Sequence, residues 1–125
     1  MTITKKISLI VLIIGYIAAG INHFRVPEFY IAIIPHYIPY PQLMNVLAGI
    51  FEILFGLGLI FTPTRKLAAW GIVLLLIAFT PVHISMITEA PFKVEAKTIN
   101  PLLAWLRLAL QPVLIAWAWW HTKDN

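Results

Sequence analysis

A lone carboxylate, Glu52, stands in the run Gly49-Ile50-Phe51-Glu52-Ile53-Leu54-Phe55-Gly56, and a lone guanidinium, Arg107, stands between Leu102 and Trp120 in equally apolar surroundings. An ionisable group in such a setting costs a few kcal/mol unless partnered, so it marks either a structural pair or a functional site. Gln111 lies four residues after Arg107 and therefore one turn along on the same helix face. Asn45 lies two turns before Glu52 on its stripe. Thr80 and His83 share a face, and Asn22 and His23 close the first apolar run. Three chemistries fit these residues. Glu52 and Arg107, the evident partners, can form a bidentate ion pair that registers two helices. Alternatively Arg107, with Gln111 and His83, binds an anionic or carbonyl-bearing ligand while Glu52 holds the guanidinium in place. The third is proton transfer through Glu52.

Each remaining polar residue has a plainer alternative. The ring of Pro81 frees a helix carbonyl, so His83 can serve only to satisfy backbone. His23 can be an interfacial histidine, and His36 and His121, in a loop and in the tail, receive no role. Gly49 and Gly56, on the Glu52 stripe, permit close approach of another helix or leave an open floor for a ligand. The histidines show neither an i, i+4 pair nor His-Glu-x-x-His, and cysteine is absent, so no metal site, thiol chemistry or covalent haem is expected. With no nucleophile elbow, phosphate-binding loop, dinucleotide fingerprint or paired carboxylates, the residues do not support an enzyme acting on its own.

Elements that place these groups must be membrane helices. Of 125 residues 61% are hydrophobic and 11% charged, with a mean hydropathy of +0.89, whereas soluble domains carry about 25% charged residues. Runs long enough to cross a bilayer, about 20 residues each, occur at Ile3 to Phe24, Leu43 to Phe61, Leu67 to Ile87 and Leu102 to Trp120. They are continuous rather than alternating, which predicts helices in a single all-α transmembrane four-helix bundle occupying residues 1–125. Lys5 and Lys6 before the first run resemble a secretory leader. However, no convincing small-x-small cleavage site precedes the charged loop, so the run reads as a retained span. Pro35, Pro39, Pro41, Pro63 and Pro101 punctuate the boundaries, and Asn100 before Pro101 reads as a helix cap. Thr62-Pro63-Thr64 reads as the short connection between spans two and three.

The connection from Phe24 to Pro41 is too apolar for a solvated loop and too rich in proline to span. It predicts an interfacial helix over Pro27 to Ile34 followed by an extended proline-rich stretch, either a surface packing element or a lid over a ligand site. Basic residues favour the side holding the N-terminus, with Lys5, Lys6, Arg65, Lys66 and Lys123 against Arg25, Lys93 and Lys97 opposite. By the positive-inside rule both termini are cytoplasmic in an inner membrane, with Trp70, Trp117, Trp119 and Trp120 at the inner interface and Tyr30, Tyr37, Tyr40 and Trp105 at the outer one. The scattered basic residues read as topology signals, not as a nucleic-acid surface. In this frame Asn22, His23, Asn45, Glu52, His83, Arg107 and Gln111 converge on the outer half as candidate ligand-binding residues, while the inner half reads as nearly all aliphatic.

Ala18-Ala19-Gly20-Ile21-Asn22-His23-Phe24, Ile34-Pro35-His36-Tyr37-Ile38-Pro39, the run from Gly49 to Leu59 and Leu106-Arg107-Leu108-Ala109-Leu110-Gln111 together resemble the DoxX-like family of small bacterial membrane proteins, over about Gly20 to Ala118. The resemblance implies a four-helix bundle, links the name-giving members to a quinone-linked thiosulfate-oxidising complex, and puts Glu52, Arg107, Gln111 and His23 on the family's polar positions. Relatives often carry Asn after the proline of the third span, where this chain has Pro81-Val82-His83. Two functions follow as expectations: an accessory subunit of a redox-linked membrane complex, or a binder of a small amphipathic molecule in the outer-half pocket. A quinone is the one cofactor the second admits. Partners beyond the bilayer would be another membrane protein or a second copy of the chain. A transporter is disfavoured, because four spans show no evident inverted repeat.

Overall fold

The structure is a computed structural model describing residues 1–90, 92–94 and 97–123, with the backbone alone for 92–94 and 97. Four helices are long and apolar enough to cross a membrane: α1 (Ile3–Arg25), α3 (Pro41–Gly58), α4 (Thr62–Glu89) and α5 (Pro101–Trp120). A short helix, α2 (Pro27–Ile33), follows α1 where the interfacial helix is predicted. Between α4 and α5 a small antiparallel hairpin pairs β1 (Phe92–Val94) with β2 (Lys97–Ile99).

Local chemistry sets the helix starts. The Thr2 hydroxyl accepts from Lys5 N at 3.2 Å at the head of α1, and Asn100 Oδ1 accepts from Leu103 N at 2.8 Å at the head of α5. Such caps satisfy donors that a first turn leaves without helical partners. Proline occupies the first turn of α2, α3, α4 and α5, where its missing N–H costs nothing. This explains a shift from the sequence expectation. Pro63 and both neighbouring threonines belong to α4 and do not form the connection, which is instead Leu59 to Phe61. For the same reason α3 begins at Pro41, immediately after Tyr40, whose φ of 52° makes the turn into the helix.

The long helices associate chiefly as two pairs, α1 with α3 and α4 with α5. Close backbone approach joins the first pair. An ideal Cβ on Gly20 would lie 2.5 Å from Ile53 Cγ1 and 2.8 Å from the Gly49 carbonyl oxygen, and one on Gly56 would lie 2.8 Å from Ile17 Cγ1. Gly49 and Gly56 thus serve helix packing rather than an open floor. In the second pair, buried Gln111 of α5 donates from Nε2 to the Leu76 carbonyl of α4 at 2.8 Å. Thr80 Oγ1 donates to the same oxygen at 3.1 Å. Both bonds brace the turn beside Pro81, whose missing N–H leaves the neighbouring Ile77 carbonyl without its helical donor.

The two pairs meet in the half of the bundle that holds both termini. Leu9, Leu12, Leu59, Ala69, Ile72 and Leu76 are buried there in one apolar cluster. Near the α3–α4 connection, a Cβ on Gly71 would strike the Phe55 ring and one on Gly58 would lie 2.9 Å from Ala68 Cβ. Ile3, Ile7, Ile10, Ile14 and Ile21 form an exposed stripe along α1, the outward apolar face expected of a helix set in lipid. In the opposite, distal half, the space between the pairs is a cavity.

Candidate ligand-binding site

The cavity measures about 510 Å³ and draws its walls from α1, α2, α3, α4 and α5, within the range of small-molecule sites. Most of the lining is apolar, with Phe51 from α3, Leu75 and Phe79 from α4, and Ile33 and Ile34 from the α2 segment. Five of the seven candidate residues line it: His23, Asn45, Glu52, His83 and Arg107. The other two stand directly behind. Gln111 Oε1 accepts from Arg107 Nη1 at 2.6 Å, and Asn22 Nδ2 donates to the Tyr30 hydroxyl at 2.6 Å.

On the α1–α3 wall the polar groups form one network. Asn45 Nδ2 donates to the His23 carbonyl at 2.9 Å, which turns Asn45 Oδ1 toward His23 Nδ1 at 2.8 Å. That oxygen can only accept, so Nδ1 carries a hydrogen and Nε2 is the site that gains or loses the second proton. Nε2 lies 3.4 Å from Glu52 Oε2. At that separation Glu52 Oε2 is buried with no hydrogen-bond partner among the described residues, leaving it an acceptor for something in the cavity.

The opposite wall carries positive charge and an uncommitted ring. Arg107 is half-buried on α5, held through Gln111, which is itself anchored to Leu76. His83 is buried, makes no hydrogen bond among the described residues, and its Nδ1 is without a partner there. This differs from the backbone-satisfying role open to His83 from its spacing to Pro81.

The expected Glu52–Arg107 ion pair does not form. Glu52 projects from the helix paired with α1 and finds His23, whereas Arg107 projects from the helix paired with α4 and finds Gln111. The two residues face one cavity from opposite walls. Depth in the bilayer is legible in a sequence, but the neighbour of each helix is not.

The α2 segment covers the distal side. The Tyr30 ring stacks on the His23 imidazole at 3.9 Å between centroids, and its hydroxyl is held by Asn22, which also accepts from Arg25. Beyond α2, His36 Nε2 stands 4.0 Å from Glu89 Oε1 at the end of α4, an exposed contact. The role of Tyr30 was missed in the sequence, although an amphipathic aromatic seven residues after a polar span end is the signal that could have found it.

A second polar cluster corrects the expectation of an aliphatic half at the terminal end. Lys5, His121 and Thr122 are buried there. Trp117 Nε1 donates to Ser8 Oγ at 2.7 Å, Ser8 Oγ lies 2.9 Å from His121 Nε2, and Lys5 Nζ donates to the Lys123 carbonyl at 3.1 Å. Burial first, then the cations Lys5 and Arg65, holds the His121 imidazole below its ordinary range. In the sequence Lys5 reads as a topology charge and His121 as tail, so nothing announced their enclosure.

Fold and cavity together define the class, a small all-α bundle of multi-pass membrane type with one mixed polar and apolar chamber between two helix pairs. Residues 12–122 match the family described as a domain of unknown function (DUF8561), and the chain belongs to that family. Comparison with curated proteins and with solved structures gives no match.

Proposed function

We propose that this protein holds a small amphipathic ligand in the distal cavity, as a binding protein of the inner membrane with both termini cytoplasmic and the cavity in the outer half. The observation that carries the reading is the pairing of opposed polar walls in an otherwise apolar chamber. Glu52 Oε2, 3.4 Å from His23 Nε2 and without a hydrogen bond among the described residues, offers a buried acceptor on one side, and Arg107 and His83 offer donors on the other. A flat head group that donates toward Glu52 and accepts from Arg107 fits between them, with an apolar body along Phe51, Leu75 and Phe79. A quinol head, whose hydroxyls both donate and accept, has this donor and acceptor set, and the resemblance to DoxX-like proteins, with their link to quinones, supports that choice. When bound, such a group would supply redox chemistry. This chain's residues would bind and orient it, and the His23–Glu52 pair would hold one proton at its edge.

Native mass spectrometry of the purified protein tests the reading. A bound small molecule is expected on the wild type and is expected to be lost from Arg107→Lys, which keeps the charge but not the planar fork, while the bundle stays folded. An apo wild type, or equal retention by both proteins, overturns the ligand assignment. The same spectrum tests the second reading, an accessory subunit of a redox-linked complex, since a stable partner or second copy would appear as added mass.

A further inference from the structure

Far from the cavity, at the terminal end, a groove of about 360 Å³ lies between α1 and α4, lined by Met1, Lys6, Leu9, Ile10 and Arg65. We propose that this groove is a binding site for an anionic phospholipid, with the head-group phosphate between Lys6 and Arg65 and an acyl chain along Leu9 and Ile10.

Among the described residues the charge at this groove is uncompensated. Among the described residues neither Lys6 nor Arg65 has a carboxylate within ion-pair distance, and neither α1 nor α4 has an acidic residue in its first turn. The positive ends of two helix dipoles therefore add to the two side-chain charges. Arg65 is also fixed in place. Its Nε donates to the Leu59 carbonyl at 2.8 Å and its Nη2 to the Ile60 carbonyl at 3.1 Å, so it caps the end of α3 and still has Nη1 hydrogens to give. A guanidinium ordered before the ligand arrives loses little entropy on binding. Burial lowers the proton affinity of His121 most, and the nearby cations Lys5 and then Arg65 lower it further.

A lipid, rather than a soluble anion, follows from what lies beneath the cations. Met1, Leu9 and Ile10 line the groove beside the two cations, Ile10 exposed and Leu9 buried, so apolar surface adjoins the phosphate position. Trp119 and Trp120 are exposed at the same end, the level at which interfacial tryptophans meet head groups. A zwitterionic head would bring its own cation against Lys6 and Arg65.

The test uses the full chain, delipidated in a neutral detergent and titrated with palmitoyl-oleoyl phosphatidylglycerol or the phosphatidylcholine of identical chains, with bound lipid counted by native mass spectrometry. Each basic residue near a membrane surface strengthens anionic-lipid binding about fivefold. Wild type should therefore prefer phosphatidylglycerol at least fivefold, and Lys6→Gln should lower that preference about fivefold. Lys123→Gln, which removes a charge at the same end but outside the groove, should leave it unchanged. Arg65→Gln also uncaps α3, so Lys6→Gln carries the test. Equal binding of the two lipids, no change in Lys6→Gln, an equal loss in Lys123→Gln, or displacement of phosphatidylglycerol by millimolar inorganic phosphate each overturns the proposal. The ligand of the distal cavity should be retained by Lys6→Gln, which separates this site from that one.

Discussion

Adding a single methyl at Gly20 tests how α1 and α3 hold the imidazole–carboxylate wall. In Gly20→Ala the new Cβ would stand 2.5 Å from Ile53 Cγ1, 2.8 Å from the Gly49 carbonyl oxygen and 2.9 Å from Ile53 N. Carbon contacts are comfortable near ~3.5–4.0 Å, so each approach is too close by more than half an ångström. The Ile53 side chain can rotate, but the other two atoms are backbone, and α3 must move as a body. Overpacking of this kind costs about 1–3 kcal/mol. The control is Gly15→Ala on the same helix, where nothing lies within 4 Å of the added methyl. Both variants gain the same helix propensity, roughly 0.5–1 kcal/mol, so their difference isolates the overlap. Equilibrium unfolding in mixed micelles should place Gly20→Ala about 1–3 kcal/mol below Gly15→Ala. Because Gly20 lies one turn before His23, the same shift should also weaken ligand retention. Stabilities agreeing to within about 0.5 kcal/mol, the ordinary scatter of surface changes, would refute the close-approach argument.

Other outcomes follow from individual contacts. His83→Phe should keep or raise thermal stability, since the imidazole has no hydrogen bond to lose among the described residues, yet it should reduce ligand retention in native mass spectra. Tyr30→Phe removes the bond from Asn22 while keeping the ring stacked on His23. The bundle should lose at most about 1 kcal/mol, and the ligand should dissociate faster in exchange measurements. His121 supplies a pH dependence. Its folded pKa is depressed, so the unfolded chain binds the proton more readily, and stability is full above the unfolded value near ~6.5 and falls as pH drops below it. Unfolding at pH 7.5 and 5.5 should show a larger acid-induced loss in wild type than in His121→Gln, and the reverse order would contradict the burial of this ring beside Lys5 and Arg65.

What could be read from the residues divides along physical lines. Continuous apolar runs mark the four long helices, because a chain in lipid must satisfy its backbone within each segment. The proline-broken stretch after α1 likewise announces α2. Prolines misplace the boundaries, since Pro41 and Pro63 lie inside the first turns of α3 and α4 and not outside the spans. Seven polar residues are legible as a group at one depth, and all of them lie in or directly behind the walls of one cavity. Their pairing is not legible, because Glu52–His23 depends on α1 and α3 being neighbours, and that depends on Gly20 facing Gly49 across the seam. The hairpin stays hidden because its strands are three residues each and the letters between them, Glu95-Ala96, are not turn formers.

Thr80 and Gln111 converge on the Leu76 carbonyl, so a side chain of α5 braces α4 beside the turn that Pro81 interrupts. Because α5 follows α4 in the chain, the brace that the Gln111 amide gives α4 is absent until α5 is made. The same amide orients Arg107, so the step that finishes the scaffold also installs the guanidinium. Maturation of the chamber and completion of the last helical pair are on this geometry one event, and a chain truncated before Gln111 would lack both.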